Sequence, residues 1–251
     1  MEHYALPAEV YGAGLVFARV GALVMLMPGV GETAVPPRIR LAFAFVLALV
    51  LYPIVRSGMP PIPTTLGDTV AQLIIEILIG LGIGSILRFF MATLITTGEV
   101  ISLQTTLAFA QTTNPTQAQP AATVGSFLTV MGLALVFSTD LYQLFIGGVA
   151  KSYAIFTPGK APPVGDFVKL AVKMTGDTFA LGVQLSAPIL VFSLVFNVAA
   201  GLIGRVMPQF QIFFAATPLA LLFGLSIFAL SLGMLGLVWV DSFRSFAVRL
   251  T

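Results

Sequence analysis

Arg19, Glu76, Arg88 and Asp140 are charged residues set inside long apolar runs. A charge at the centre of a hydrocarbon layer costs at least about 2.5–3.5 kcal/mol, so such side chains normally face protein or a water-filled cavity. Two kinds of chemistry suit them. One is an ion or proton pathway, in which a carboxylate such as Glu76 or Asp140 is loaded and unloaded. The other is a buried polar contact between helices or subunits, with snorkelling to the membrane interface as a third option. Glu76 and Arg88 are twelve residues apart. On one helix that spacing puts them roughly 120° apart around the axis and about 18 Å apart along it. They do not pair with each other, so each needs a partner elsewhere in the chain or on another subunit.

A second stretch is chemically unusual for a different reason. From Val100 through Thr139 there is no charged residue, yet Gln104, Thr105, Thr106, Gln111, Thr112, Thr113, Asn114, Thr116, Gln117, Gln119 and Thr123 are all polar. Pro115 and Pro120 forbid a continuous regular helix there. Lipid does not tolerate so many unsatisfied backbone and amide groups, whereas the inside of a protein or the wall of a water-filled cavity does. Residues 104–126 therefore read as a re-entrant or lumen-facing segment, with Phe109 its one aromatic. An exposed loop that happens to lack charge is the plainer alternative.

Catalytic and metal chemistry find no support. The chain has no cysteine and one histidine, His3, which excludes thiolate sites and any multi-histidine site within it. It has no HExxH, no GxSxG and no pair of intramembrane aspartates. No cofactor is implied. A net charge of +2 without a basic run argues against nucleic acid.

The elements that must position these residues are membrane helices. Of 251 residues, 58% are hydrophobic and 9% charged, where a soluble domain carries about 25% charge. Mean hydropathy is +1.03. That excludes an ordinary soluble enzyme and a disordered chain. The N-terminus begins with Glu2 and Glu9 and has no positive charge before Arg19, so the first apolar run is expected to be retained rather than cleaved as a signal. Six candidate spans are expected: Val10 to Met27, Ile39 to Val55, Val70 to Thr97, Val124 to Gly148, Thr178 to Gly204 and Phe210 to Val240. The last is about 46 Å of helix, so it tilts and bends at Pro218 or extends beyond the bilayer within an assembly.

The connections differ in kind. Gly29 to Pro37 is a short turn, and the segment from Arg56 to Asp68, with Pro60, Pro61 and Pro63, reads as an extended strap. Residues 149–177 form a basic connector holding four of the twelve positive charges. Within it Phe167, Leu170, Ala171 and Met174 share one helical face, with Lys169 and Lys173 elsewhere and Asp166 placed to cap the start. That is a short amphipathic helix, either a plain surface helix or one lying at lipid headgroups. Lys and Arg counting favours both termini inside. Gly80 and Gly84 stand in GxxxG spacing and offer a face for close helix packing. No internal duplication is visible, which counts slightly against an inverted-repeat transporter.

Short motifs in a fixed order carry a resemblance. Phe17-Ala18-Arg19, Pro28-Gly29, Pro36-Pro37-Arg38 and Pro53 come first, followed by Glu76, Gly80, Gly84 and Gly98-Glu99. Gln104, Leu107 to Ala110, Pro115, Ser152-Tyr153 and Pro158 continue the series, and Ala187-Pro188, Gly204-Arg205, Pro208-Gln209 and Pro218 close it. Together they resemble the FliR family of flagellar and type III secretion export-gate proteins over nearly the whole chain. Thr106-Leu107-Ala108 and Asn114-Pro115 stand where the family often has Gly-Leu-Ser and Asp-Pro.

The resemblance implies an all-α membrane protein that is like a fusion of FliP-like and FliQ-like folds, forming one export-gate membrane domain over residues 1–251. It implies a single copy of this chain in a hetero-oligomer with FliP-like and FliQ-like gate subunits, close to FlhB-like and FlhA-like export proteins. The setting would be the inner membrane of a bacterium at the flagellar basal body, and the cargo unfolded export substrates. It implies a pore plug at Leu107, Phe109, Ala110, Gln111, Thr112, Thr113, Asn114 and Pro115. It also implies that Arg19, Glu76, Arg88, Glu99, Asp140, Arg205 and Gln209 are buried polar or interface residues, and that Gly80 and Gly84 are packing positions. The rival readings are a small-solute secondary transporter coupled through Glu76 or Asp140, and a scaffold with no lumenal role.

Overall fold

The computed structural model describes residues 6–107, 123–162, 164–207, 209 and 212–250. Among these the chain is helical without strands: α1 (Pro7–Leu26), α2 (Pro37–Val55), α3 (Leu66–Gln104), α4 (Thr123–Ser138), α5 (Leu141–Ile155), α6 (Val164–Leu185), α7 (Ala187–Val206) and α8 (Ile212–Leu250). Five of the helices are long and apolar enough to cross a membrane, and the bent pair α4–α5 is a sixth candidate. The expectation of an all-α membrane protein with about six long apolar helices therefore holds. The plug positions Phe109 to Pro115 lie outside the described residues.

Local chemistry sets the starts of the first three helices. Pro7 and Pro37 stand at the first turns of α1 and α2, where a missing N–H costs nothing. Thr65 caps α3: its Oγ1 accepts from the Asp68 N–H at 3.1 Å and donates to Asp68 Oδ2 at 2.7 Å. The strap from Arg56 opens with a single 3-10 turn, Arg56–Gly58.

Four of the six expected spans change shape. The fourth is not one helix: it breaks at Thr139–Asp140, where Asp140 takes φ 58 and starts α5 from a left-handed conformation. The fifth breaks at Ser186, because Pro188 sits in the first turn of a new helix, α7, rather than inside a continuous one. The third and sixth lengthen to 39 residues each in α3 and α8, about 58 Å against a hydrocarbon core of about 30 Å. Pro218 is accommodated inside α8 without ending it.

The chain divides into two compact units. The first holds α1, α2, α3 as far as Phe90, α5, α6 as far as Thr175 and the end of α8 from Phe246. In it α1 buries Leu15, Val16, Arg19, Val20, Leu23 and Val24, a stripe recurring at three and four residues. α2 lays Ala44, Ala48 and Leu51 inward, and Phe17 meets Phe45 edge-on at 6.0 Å. The second unit holds α3 from Met91, α4, α6 from Gly176, α7 and α8 as far as Ser245. Its core includes Leu94, Ile101, Leu128, Val136, Ile189, Trp239 and Phe243.

Outside these cores large apolar side chains stay exposed on the chain by itself. Val50 and Ile54 on α2, Leu194 and Val195 on α7 and Leu230 and Leu237 on α8 are examples. Faces of this kind belong against lipid or other protein, not water.

Candidate functional site: a buried ion pair and the stems of the uncharged segment

The first unit is built around a charge. Arg19 projects from the buried stripe of α1 and Glu76 from α3, and both side chains are fully buried. Arg19 Nε donates to Glu76 Oε2 at 2.6 Å. The remaining guanidinium donors reach the C-terminal end of α5: Nη1 donates to the Ser152 carbonyl at 3.2 Å and to Ser152 Oγ at 3.3 Å, and Nη2 to the Phe156 carbonyl at 3.0 Å. A helix C-terminus leaves carbonyls without intrahelical donors and carries partial negative charge, so a cation there is doubly favoured. The Tyr153 ring lies 4.0 Å under the guanidinium, a cation–π contact strengthened by burial.

Glu76 is equally occupied. Its second oxygen accepts the Gly159 N–H at 3.0 Å. Gly159 has φ +76, and a Cβ there would stand 3.0 Å from Gln72 Oε1 and 3.1 Å from Pro60, so both conformation and space call for glycine. Gln72 Oε1 in turn accepts from Tyr11 at 2.6 Å. A polar seam thus runs between α1 and α3 and holds the α5–α6 connection.

The close approach of α1 and α3 rests on small residues. A Cβ on Gly80 would collide with the Arg19 carbonyl, and one on Gly84 would lie 2.8 Å from Leu26 Cβ. The GxxxG face seen in the sequence is thus the face that meets α1. The pair stabilises this arrangement only because its geometry is complete, since desolvating two charges costs several kcal/mol each. Such an arrangement can hold helices in one register. With both carboxylate oxygens engaged, it offers little to a transported ion.

The other sequence-selected polar residues stand differently. Arg88, Glu99, Asp140, Arg205 and Gln209 are exposed on the chain by itself. The expectation is a buried or an interface position, and exposure on the chain by itself leaves the interface alternative, since among the described residues nothing covers these side chains. Asp166 lies within the first turn of α6, since the helix already starts at Val164, so the expected cap position is wrong by the length of that turn. Among the described residues no group of three metal-ligating side chains occurs.

In the second unit the stems of the uncharged segment are tightly held. Gly98 of α3 lies against the Gly125 backbone of α4, an approach that a Cβ at position 98 would block. Gln104 Oε1 accepts a hydrogen bond from Ser193 Oγ of α7 at 2.8 Å. Thr105 packs against Gly224 of α8, and Thr97 Oγ1 donates to the Gly182 carbonyl of α6 at 3.2 Å. Leu107, the first of the expected plug positions and the one described, is half-buried.

Sequence reasoning selected Arg19, Glu76 and Gln104 and named Ser152, Tyr153 and Gly98 only as motif residues, without pairing them, and it missed Gly159, Ser193 and Gly125. The signal present was weak: a glycine in each of two apolar helices, and a serine in an apolar run.

Comparison with known proteins agrees with this architecture. "Bacterial export proteins, family 1" matches residues 10–246. The flagellar biosynthetic protein FliR of Caulobacter vibrioides is 54% identical over 97% of each chain. FliR of Pectobacterium carotovorum is 31% identical over 87% of this chain and 82% of its own length. FliR of Escherichia coli K12 is 28% identical over 84% and 80%. Extended helices that bury a static ion pair and leave their apolar flanks uncovered fit a subunit of a transport assembly better than an enzyme, and the chain belongs to the bacterial export proteins of family 1.

Proposed function

We propose that this chain is the single-copy FliR-like subunit of a flagellar protein-export gate in the inner membrane, at the basal body. With FliP-like and FliQ-like subunits it lines a pore through which unfolded flagellar proteins leave the cell. FlhB-like and FlhA-like proteins adjoin it. The driving energy comes from partners.

One observation carries the plug reading: the uncharged, proline-broken segment between Val100 and Thr139 in an export-family chain. Such a segment blocks small solutes sterically and presents no charge to attract ions. The stems support this. Gly98 against Gly125 and Gln104 against Ser193 brace the helices from which residues 108–122 depart and to which they return. The 39-residue helices support the assembly reading. At about 58 Å each is longer than the hydrocarbon core, as helices that continue beyond the bilayer within an assembly would be. Arg88, Glu99, Asp140, Arg205 and Gln209, exposed on this chain, are then contact residues for those subunits.

Native mass spectrometry of the chain co-expressed with FliP-like and FliQ-like proteins tests the assembly. One copy with several of each partner is the expected outcome. A monomer or homodimer that ignores both refutes it. Deleting Gln111 to Pro120 should raise the ion permeability of the assembled complex, and an assembled deletion with unchanged leak refutes the plug.

A further inference from the structure

Among the described residues, α6 as far as Thr175 packs on the first unit through the face that carries Phe167, Leu170, Ala171 and Met174. The Phe167 ring packs onto Gly82 and lies 5.2 Å from the Phe156 ring. Met174 is buried, while Leu170 and Ala171 are half-buried. This docking fixes which residues of the helix point away. Val168 and Val172 are 57% and 69% exposed, and Lys169 and Lys173 are exposed beside them. On a helical projection the two valines lie within about 40° of each other, and the lysines follow at about 100–140°.

A water-facing helix has little use for two exposed β-branched residues, which are also mediocre helix formers. α6 is not one of the five helices apolar enough to cross the membrane. Around it the chain is basic: between Lys151 and Thr175, four lysines stand against one acid, Asp166. Lys151, Lys160, Lys169 and Lys173 are all exposed, as is Ile155 at the end of α5.

We infer that the outward face of α6 lies on the membrane surface and binds anionic phospholipid headgroups, with Val168 and Val172 entering the acyl boundary and Lys169 and Lys173 on the phosphates. Lipid is favoured over an acidic protein because the face offers two exposed valines and flanking lysines, with no aromatic or large aliphatic anchor of the kind a specific protein partner engages. A headgroup layer requires only an apolar edge flanked by cations. The same unit already carries a lipid-type face in Val50 and Ile54 of α2. The inference needs the chain only to be a membrane protein and does not rest on the plug.

The chain has no cysteine, so Val172→Cys gives a unique labelling site on the full-length protein. A fluorophore there, in bilayers containing brominated phosphatidylglycerol or brominated phosphatidylcholine at equal mole fraction, reads which lipid is adjacent. Quenching by the anionic lipid should be several-fold stronger. Adding Lys169→Gln and Lys173→Gln should make the two lipids equivalent, since each lysine near an anionic surface contributes roughly fivefold. Val168→Cys should repeat the result. Equal quenching by the two lipids with both lysines present overturns the inference. So does no quenching by either lipid, which would put the face against protein or water.

Discussion

The buried pair gives the sharpest quantitative test, because the chain contains its own control. Arg19–Glu76 and Arg56–Glu9 have nearly the same N–O distance, 2.6 and 2.7 Å. Their surroundings differ: the first pair is fully buried, whereas Arg56 is 59% and Glu9 32% exposed. Glu76→Gln keeps the size and an acceptor but leaves the Arg19 guanidinium without a counterion in a fully buried site. Breaking a buried pair from one side costs about 3–5 kcal/mol, a large share of a typical total of about 5–15 kcal/mol. Arg56→Ala removes a screened pair and should cost less than about 1 kcal/mol.

Replacing both partners, as Arg19→Met with Glu76→Met, removes the charges but not the groups they served. The Ser152 and Phe156 carbonyls and the Gly159 N–H lose their partners, each at about 1–3 kcal/mol if no water enters. The double variant should therefore fall below wild type, yet by less than the two single losses added together. Unfolding of the full chain in mixed micelles with increasing dodecyl sulfate, followed by circular dichroism, measures wild type, Glu76→Gln, Arg56→Ala, the double variant and its two component single variants, Arg19→Met and Glu76→Met. The reasoning fails if Glu76→Gln stays within about 1 kcal/mol of wild type, or if Arg56→Ala costs as much as Glu76→Gln.

The same assay reads further substitutions. Gly98→Ala should destabilise by more than about 2 kcal/mol, since its Cβ meets the Gly125 backbone, which has no side chain to turn aside. Gly147→Ala, with nothing near its Cβ, should be neutral or gain up to about 1 kcal/mol from helix propensity. Gly159→Ala should lose about 1–2 kcal/mol from its positive φ alone. Ser193→Ala removes the hydroxyl that donates to Gln104 and should cost about 1 kcal/mol. If Gln104 braces a plug stem, this variant should also raise ion leak in the assembled gate.

How much of this was legible beforehand depends on the range of the interaction. The helices were readable because apolar run length is a local property, whereas Pro7 and Pro37 as the openers of α1 and α2 were not read from the sequence. The face of α6 was readable as well: Phe167, Leu170, Ala171 and Met174 do turn inward, because a period of 3.6 residues already specifies which side chains share a side. The helix breaks were only partly readable. Pro188 was visible, but whether a proline kinks a helix or starts a new one depends on whether neighbouring carbonyls find other donors. Asp140 had no sequence signal for its left-handed turn.

Class, membrane residence and the need of Arg19 and Glu76 for partners follow from the sequence by itself, since each rests on the cost of placing residues in lipid. That Arg19 and Glu76 answer each other across 57 residues, and that Ser152 and Phe156 complete the site from far along the chain, was decided only by the tertiary structure. A buried charge announces that it must be paired. Which partner it receives is set by helix packing, here the approach that Gly80 and Gly84 permit, and packing is a property of the whole fold rather than of any window of residues.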